Sequence, residues 1–281
     1  MKLEEIRAHW ADWSRSYGTE LRATTRGEAA KRLEIDALAR RFTQLLGDDP
    51  GGSVLEVGCG NGINCVSLAA RFSGLRFHGI DIVEGMVAAA GKNADQRGLA
   101  DRVTFSVGDA LAPAKAAAGV GADYDLIFTD RCIINLNTTD LQVRAIGAMS
   151  RLVRPGGHLV MIENSAETHA RQNDLREMLG LERRKAAEFN LFFDEDAIRA
   201  ALPGLGLELV DVEDFGSLHD LILYVLLPAV NGGEIDYANP LVARAAELNA
   251  RISAAFPGSL GSFGQNRMYV CRRRPIGGSN S

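Results

Sequence analysis

The sequence lacks the features that mark several classes of protein. Its four cysteines form no Cys-x-x-Cys pair and no Cys/His cluster with zinc-site spacing, so its 281 residues predict neither a metal site nor a disulfide framework. Free thiols fit a reducing compartment, and we therefore expect a cytoplasmic protein. The four residues are Cys59, Cys65, Cys132 and Cys271.

Long hydrophobic runs and blocks of positive charge are also missing. The longest apolar stretch, 221–230, is far shorter than the roughly 20 residues that cross a bilayer, and residues 1–5 have no apolar segment typical of a signal peptide. The net charge is −5, and the one basic block, at 272–274, is interpreted as a solvated end. Because nucleic-acid binding normally needs a basic face, we expect neither nucleic acid nor membrane as a partner.

The most informative segment that is present is 54–62, which reads VLEVGCGNG. An apolar strand containing Glu56 leads into a turn with glycine at every second position, and a helix is predicted from 63 to 70. Glycine lets a backbone turn sharply and approach a ligand closely. The dinucleotide pattern G-x-G-x-x-G is not met, because Ile63 takes the place of its third glycine. A carboxylate at the turn would repel a phosphate and favours a ligand with sulfonium and ammonium groups.

Polar residues and glycines also follow the later predicted strands. Ligands of open α/β sheets bind outside the carboxyl ends of the strands, so these residues are expected to meet at one site. The strands and the residues at their ends are 75–79 with Asp81 and Ile82, 103–107 with Gly108, Asp109 and Ala110, 124–129 with Asp130, and 158–163 after Pro155-Gly156-Gly157.

This ordered set of segments, over residues 50–165, resembles the class I S-adenosylmethionine (SAM)-dependent methyltransferases. The resemblance implies SAM as cofactor, S-adenosylhomocysteine (SAH) as product, and a Rossmann-like seven-stranded, mostly parallel sheet with helices on both faces. An acid about 20 residues past the glycine turn can bind a ribose diol, and in the family an acid after the third strand reaches the adenine amino group. The expected cofactor-binding residues are Tyr17, Glu56, Gly58, Gly60, Asp81, Ile82, Gly108, Asp109, Ala110 and Thr129.

Helices are predicted on either side of this core. Residues 1–50 predict a helical cap that ends at a Gly/Pro stop, and residues 51–281 the SAM-binding domain. Trp10, Trp13 and Tyr17 share one helix face, which either packs on the core or covers the cofactor. Both can hold at once, with the two tryptophans packed and the tyrosine at the site.

Residues 216–262 predict a helical insertion before the last strand. Its apolar helix, 218–227, is buried either within the fold or in a homodimer interface, so a homodimer is a possible assembly. The final residues, 277–281, are interpreted as a disordered tail.

Methyl transfer from a sulfonium is an in-line displacement, so the protein must align the nucleophile with the methyl group and exclude water. A general base is needed only by some acceptors. The catalytic candidates are Asp130, directly after the fourth strand, and His169, on the helix after the fifth strand, since histidine is the usual base near neutral pH.

The segment Asp130-Arg131-Cys132 stands where many amine and nucleobase methyltransferases of the family carry an Asn/Asp-Pro-Pro-Tyr motif. Its absence argues against methylation of DNA amines and glutamine side chains. Arg131 either pairs with its neighbouring acid or binds a substrate carboxylate or phosphate. The helix face that carries His169, Asn173 and Arg176 is either solvated or a wall of the substrate site.

The predicted substrate-binding residues are Arg131, Asn164, His169, Asn173 and Arg176. We expect a small polar acceptor, anionic or zwitterionic, such as an amino acid, a hydroxy acid or a sugar acid, methylated on O, N or S. Two other functions stay open. One is an aminopropyl-type transferase that uses decarboxylated SAM, and the other is a SAM-binding interaction protein without turnover.

Overall fold

A seven-stranded sheet forms the centre of the molecule in a computed structural model that describes residues 1–117 and 123–275. The strand order is β3-β2-β1-β4-β5-β7-β6, with β7 antiparallel to both neighbours and the other pairs parallel. This confirms the predicted mostly parallel sheet. The strands are β1 (Gly52–Val57), β2 (Leu75–Asp81), β3 (Val103–Val107), β4 (Tyr124–Asp130), β5 (Val153–Asn164), β6 (Leu207–Asp214) and β7 (Asn266–Arg273).

Helices cover both faces of this sheet. Two precede β1, and three further segments lie between β6 and β7, where the insertion is predicted. The helices are α1 (Leu3–Tyr17), α2 (Glu28–Leu46), α3 (Ile63–Arg71), α4 (Glu84–Gln96), α5 (Ala114–Ala117), α6 (Thr139–Ser150), α7 (Ala166–Met178), α8 (Glu195–Ala201), α9 (Ser217–Leu221), α10 (Leu227–Val230) and α11 (Pro240–Ala255). The predicted tail at 277–281 lies outside the described residues.

The central strands are apolar on both faces, as a parallel sheet between two helix layers requires. Val54 and Leu126 point into the core on one face, where Phe42 of α2 packs, and Leu55 and Ile127 point into the core on the other. Successive side chains of a strand alternate between faces, so each strand contributes to both cores. The two hydrophobic cores therefore hold in place the strand ends at which the cavity forms.

The N-cap of α7 is Ser165, whose hydroxyl accepts from Thr168 N at 3.2 Å, because Asn164 is the last residue of β5. One local prediction needs correction, since the predicted apolar helix 218–227 contains a π-helical turn, Ile222–Leu226, between α9 and α10. Among residues 1–117 and 123–275, every helix is too short or too polar to traverse a bilayer.

Candidate cofactor and acceptor site

A cavity of about 650 Å³ lies at the carboxyl ends of the parallel strands. It is lined by residues that follow β1, β2, β3 and β4 and by the end of β5, and α1, α2 and the insertion supply its remaining walls. Of the predicted site residues, those on the cavity wall are Glu56, Gly58, Gly60, Asp81, Ile82, Gly108, Asp109, Ala110, Asp130, Arg131 and Asn164.

The glycine turn after β1 has a backbone that other residues adopt only with strain. Gly58, Gly60 and Gly62 have φ values of 75°, 52° and 76°. A Cβ at Gly58 would collide with the Cys132 side chain, and one at Gly60 would meet the Thr24 methyl carbon at 2.6 Å. The turn is therefore packed closely against Cys132 and Thr24, which line the same cavity.

Acids after β2 and β3 form one end of the cavity. Asp81 accepts hydrogen bonds from the backbone N–H groups of Gly60 and Val83, both at 2.9 Å, so it links the glycine turn to the end of β2. Asp109 accepts from Leu111 N at 2.8 Å through one oxygen. Both carboxylates retain lone pairs that a ligand hydroxyl or amino group can use.

Glu56 lies at the base of the turn and is fully buried. It accepts from Asn64 Nδ2 at 2.8 Å and from the Cys65 thiol at 2.9 Å. Burial raises the pKa of Glu56 to about 8, against the opposing effect of these two hydrogen bonds. The side chain is therefore mostly protonated at neutral pH in the absence of a ligand, and a nearby cation would favour its ionised form.

The raised pKa of Glu56 makes stability depend on pH. Between pH 4.5 and about 8 the folded state holds a proton that the unfolded state has released, so the free energy of unfolding falls as pH rises. We expect Glu56→Gln to remove a slope of up to about 1.4 kcal/mol per pH unit in that window. Urea unfolding at pH 5.5, 6.5 and 7.5 measures this slope. The exposed substitution Glu28→Gln is the control, and equal slopes in both variants would contradict the prediction.

A four-ion cluster, in which three side chains are buried and Arg131 is 23% exposed, consists of Lys31, Glu34, Asp130 and Arg131. Lys31 Nζ is 2.6 Å from Glu34 and 2.5 Å from Asp130, and Arg131 Nε is 3.1 Å from Glu34 and 3.5 Å from Asp130. Burial alone would raise the pKa of Asp130, but the two cations outweigh it and hold that pKa below its usual value. Asp130 is therefore ionised and a weak proton acceptor.

Two oxygens at the edge of the cluster have no hydrogen-bond donor among residues 1–117 and 123–275. They are Asn64 Oδ1 and Asp130 Oδ1, both buried on side chains that line the cavity, and Asp130 Oδ1 is the oxygen that lies 3.5 Å from Arg131 Nε without a hydrogen bond. Asn64 Nδ2 donates to Asp130 Oδ2 at 3.0 Å, so the two residues are fixed side by side. Buried acceptors of this kind are costly unless a ligand donor meets them.

Helix α1 covers the cavity through aromatic contacts. Trp10 Nε1 donates to Asn135 Oδ1 at 3.0 Å, and the His9 ring stacks on Phe189 with centroids 4.4 Å apart. Trp10 and Trp13 line the cavity, whereas Tyr17 packs against Trp13 and lies off the wall. Trp10 thus packs and lines the cavity at once, whereas Tyr17 does not take the predicted place at the cofactor site.

Comparison with known proteins decides the family. A family model described as a methyltransferase domain matches residues 48–197, which are 150 of the 281 residues. The chain belongs to the class I SAM-dependent methyltransferase family. The resemblance seen in the sequence is thereby confirmed, and SAM is the cofactor of this family.

Two curated methyltransferases show how far the similarity extends. Norajmaline N-methyltransferase of Rauvolfia serpentina is 32% identical over 144 residues, 50% of this chain and 46% of the relative. Aklanonic acid methyltransferase of a Streptomyces species is 34% identical over 116 residues, 41% and 47% of the two chains. The chain thus spans less than half the length of these relatives, and they differ in acceptor.

Solved structures support the fold. The [4+2]-cyclase SpnF has a TM-score of 0.54 at 22% identity, with 86% of this chain and 82% of that chain covered. Magnesium protoporphyrin IX methyltransferase of Synechocystis, solved with bound SAH, also has 0.54, at 18% identity and 86% and 83% coverage. One of these neighbours is described as a cyclase, so the fold alone does not define the reaction.

The cavity of this methyltransferase domain fits SAM. Free carboxylate lone pairs after β2 and β3 suit a ribose diol and an adenine amino group. The buried oxygens of Asn64 and Asp130 that lack donors suit an ammonium group, and Glu56 lies where a cation would favour its ionised form. The acceptor groups on the cavity wall therefore match the hydroxyl, amino and ammonium donors of the cofactor.

Other predicted residues lie behind the cavity wall. Thr129 is buried and donates to Glu163 at 2.7 Å. Glu163 also accepts from the backbone N–H groups of Ile133 and Ile134, both at 3.1 Å. Thr129 therefore supports the turn after β4 from below and does not reach the cavity, which corrects its expected position at the cofactor.

The predicted polar face of α7 does share one side of the helix, but that side packs against protein. Asn173 binds the backbone of Arg184 through both amide atoms, and Arg176 donates to the carbonyl oxygens of Glu182 and Tyr224. His169 contacts the Phe192 ring edge, and burial together with Arg184 lowers its pKa to about 4. None of the three lines the cavity, so the structure does not place them as substrate-binding groups, nor His169 as a base.

The structure also brings residues to the cavity that sequence reasoning missed. Lys31 and Glu34 lie on the inward side of α2 together with Leu38 and Phe42. Their i, i+3 spacing and their helical register with these apolar residues are the signal that could have found them. The C-terminal half contributes further lining residues that no pattern in the sequence marks, among them Arg184, Gln265 and Asn266.

Proposed function

We propose that this protein transfers the methyl group of SAM to an O, N or S atom of a small acceptor that carries an anionic group. The observation that carries the proposal is the row of polar groups at successive strand ends beside the glycine turn, continued beyond β4 by a second half of the same cavity. Family membership and the match of the lining to SAM support the first part. The second half of the cavity supports an acceptor of small-molecule size.

The strand order suggests how the cofactor would lie. Asp109 after β3 would bind the adenine amino group and Asp81 after β2 the ribose diol, next to the glycine turn after β1. The methionine tail would then reach β4, where Asn64 and Asp130 would accept its ammonium group. SAM itself supplies an activated methyl group, so the protein has to orient the cofactor and the acceptor and enclose them, and it does not have to activate the methyl group.

This placement changes the expected role of Asp130. Held ionised by Lys31, it would orient the ammonium group of the cofactor and would not take a proton from the acceptor. Arg131 lies on the wall between the tail and the second half of the cavity, and its charge is already shared with Glu34. The acceptor therefore has to be held mainly by groups beyond Arg131.

The second half of the cavity starts at the ends of β5 and β7. Asn164 and Asn266 are hydrogen-bonded to each other, and Asn266 Nδ2 donates to Glu34 at 2.8 Å, which ties this wall to the four-ion cluster. Trp10 and Phe189 close it from the side of α1. These walls would exclude water from the acceptor atom that receives the methyl group.

Methyl transfer is tested by following SAH release from SAM with purified protein and a panel of amino acids, hydroxy acids, sugar acids and aromatic acids. We expect one acceptor class to gain the mass of a methyl group, in proportion to the SAH released. Turnover only with decarboxylated SAM would support the aminopropyl-type transferase instead. SAM binding without turnover on the whole panel would favour a non-catalytic binding protein.

The tail-binding role of Asp130 makes a separate prediction. In Asp130→Asn the amide oxygen would face Lys31 and the amide N–H₂ would face the cofactor ammonium group, so donor would meet donor. We expect SAH to bind about 30-fold more weakly, equivalent to ~2 kcal/mol for a charge-assisted hydrogen bond. Binding of 5′-methylthioadenosine, which lacks the amino-acid tail, is expected to stay within about twofold.

Isothermal titration calorimetry measures both ligands. The matched control is Asp125→Asn at the opposite end of β4, where the carboxylate accepts from Ser53 N and pairs with Arg154. If Asp130→Asn lost affinity equally for SAH and for 5′-methylthioadenosine, the amino-acid tail of the cofactor would not bind at Asp130.

A further inference from the structure

We infer that the anionic group of the acceptor binds Arg184 and that the body of the acceptor is an aromatic ring system. This inference rests on the proposed function, because it concerns the second half of the same cavity. It replaces the amino acids and sugar acids expected from the sequence with aromatic carboxylic acids.

Arg184 is held in one orientation by protein contacts. Its Nη1 donates to Gln172 Oε1 at 2.9 Å, its Nη2 donates to Gln265 Oε1 at 2.8 Å, and its guanidinium carbon lies 3.6 Å from the centre of the Tyr224 ring. The Asn173 side chain makes two hydrogen bonds to the backbone of Arg184 and so holds the main chain at Arg184 in place. A guanidinium has five N–H donors, so this arrangement fixes the group and still leaves donors for a ligand.

The charge of Arg184 is not neutralised within the described part of the chain. No carboxylate among residues 1–117 and 123–275 lies within ion-pair distance of its guanidinium, in contrast to Lys31 and Arg131. The Asp220 carboxylate lines the same half of the cavity, but it accepts from Gln265 N at 2.6 Å and contacts His219 Nδ1 at 2.7 Å. A ligand carboxylate is the group that would complete this site, through a pair of parallel N–H···O bonds.

Aromatic side chains line the cavity that Arg184 and Arg131 also line. Tyr224 and Tyr237 come from the insertion, Phe192 from the segment before α8, and Trp10 from α1. Tyr224 lies in the π-helical turn Ile222–Leu226, a local distortion that is frequent at functional sites. Several aromatic rings in the lining favour a flat aromatic body, which makes stacked and edge-to-face contacts with them.

The inference is tested by the affinities of 2-naphthoate and its uncharged amide, 2-naphthamide, for the protein saturated with SAH. The two probes share the ring system and differ at the group that would meet Arg184, which is a carboxylate in the acid and a neutral amide with one N–H₂ donor in the other. We expect the wild-type protein to bind the acid at least about tenfold more tightly than the amide, a factor that corresponds to one charge-assisted hydrogen bond. Arg184→Gln should remove this preference, because the affinity for the acid should fall and the affinity for the amide should stay nearly unchanged.

The neighbouring residue offers a matched control. Arg183 is exposed and pairs with Asp174 and Glu177, so Arg183→Gln changes net charge equally without touching the cavity and should keep the preference. Equal affinities of the two probes in the wild type, no binding of either probe, or an equal loss in both variants would overturn the inference. SAH binding in the same titrations tests the proposed function separately, because its absence in the wild type would count against the cofactor site rather than against Arg184.

Discussion

Lys31→Met is expected to lower the free energy of unfolding by about 3–5 kcal/mol, the usual cost of removing one partner from a buried ion pair. Lys31 is 3% exposed and contacts both Glu34 and Asp130. Without the ammonium group, the two carboxylates would share only Arg131 as a counter-charge in a site with little water. Methionine matches the length of the lysine stem, so the loss would come from charge rather than from a cavity.

Urea unfolding at pH 7 measures this loss, and the next residue provides the control. Arg32 pairs with Glu28 on the exposed side of the same helix, where such a pair is worth less than ~1 kcal/mol. Arg32→Met should therefore change stability only slightly. If the two variants differed by less than ~1 kcal/mol, the four-ion cluster would have to be hydrated in solution.

Asp81→Asn is expected to weaken SAH binding by about 100-fold. The carboxylate accepts from the backbone N–H groups of Gly60 and Val83, and in the proposed placement it also accepts from the ribose diol. An asparagine amide would turn a donor toward one of these N–H groups and lose charge-assisted hydrogen bonds, worth together ~2.7 kcal/mol. The glycine turn would lose its anchor to β2 at the same time.

The affinities of two ligands distinguish a loss of contacts at the ribose from a loss of contacts at the cofactor tail. 5′-Methylthioadenosine carries the same ribose as SAH, so Asp81→Asn should weaken both ligands by similar factors, whereas Asp130→Asn should weaken SAH alone. Calorimetric titration of both ligands gives the comparison, with the exposed Asp101→Asn as control. If Asp81→Asn kept its affinity for 5′-methylthioadenosine, the Asp81 carboxylate would not be the group that binds the ribose.

The cofactor half of the cavity can be predicted from the sequence because its signals are local. The glycine turn and the acids after β2 and β3 each lie within a few residues of the strand that positions them, so strand prediction also places the side chain. Parallel strands bring their carboxyl ends together without further information. For this reason the amino-acid sequence alone places Asp81, Asp109 and the turn at 58–62 around one cavity.

The acceptor half could not be predicted in the same way, because its residues meet only through packing. Asn173 and Arg176 do share a helix face, but the face turns toward 182–184 and the π-helical turn instead of the cavity. The apolar sequence at 217–227 gives no indication that Tyr224 would enter a π-helical turn and support Arg184. Helix periodicity fixes which residues share a side and leaves open what that side contacts.

The position of β7 between β5 and β6 has a consequence for the order in which the chain assembles. A ribosome delivers β1 to β5, the glycine turn and both α2 partners of the four-ion cluster before it delivers 266–273, so the cofactor half can begin to form first. Until β7 arrives, β5 presents an unpaired edge, β6 has no strand to pair with, and Glu34 lacks its hydrogen bond from Asn266. We therefore expect the acceptor half to close late in folding, and a nascent chain stalled in the insertion to expose one edge of β5 and both edges of β6 to aggregation.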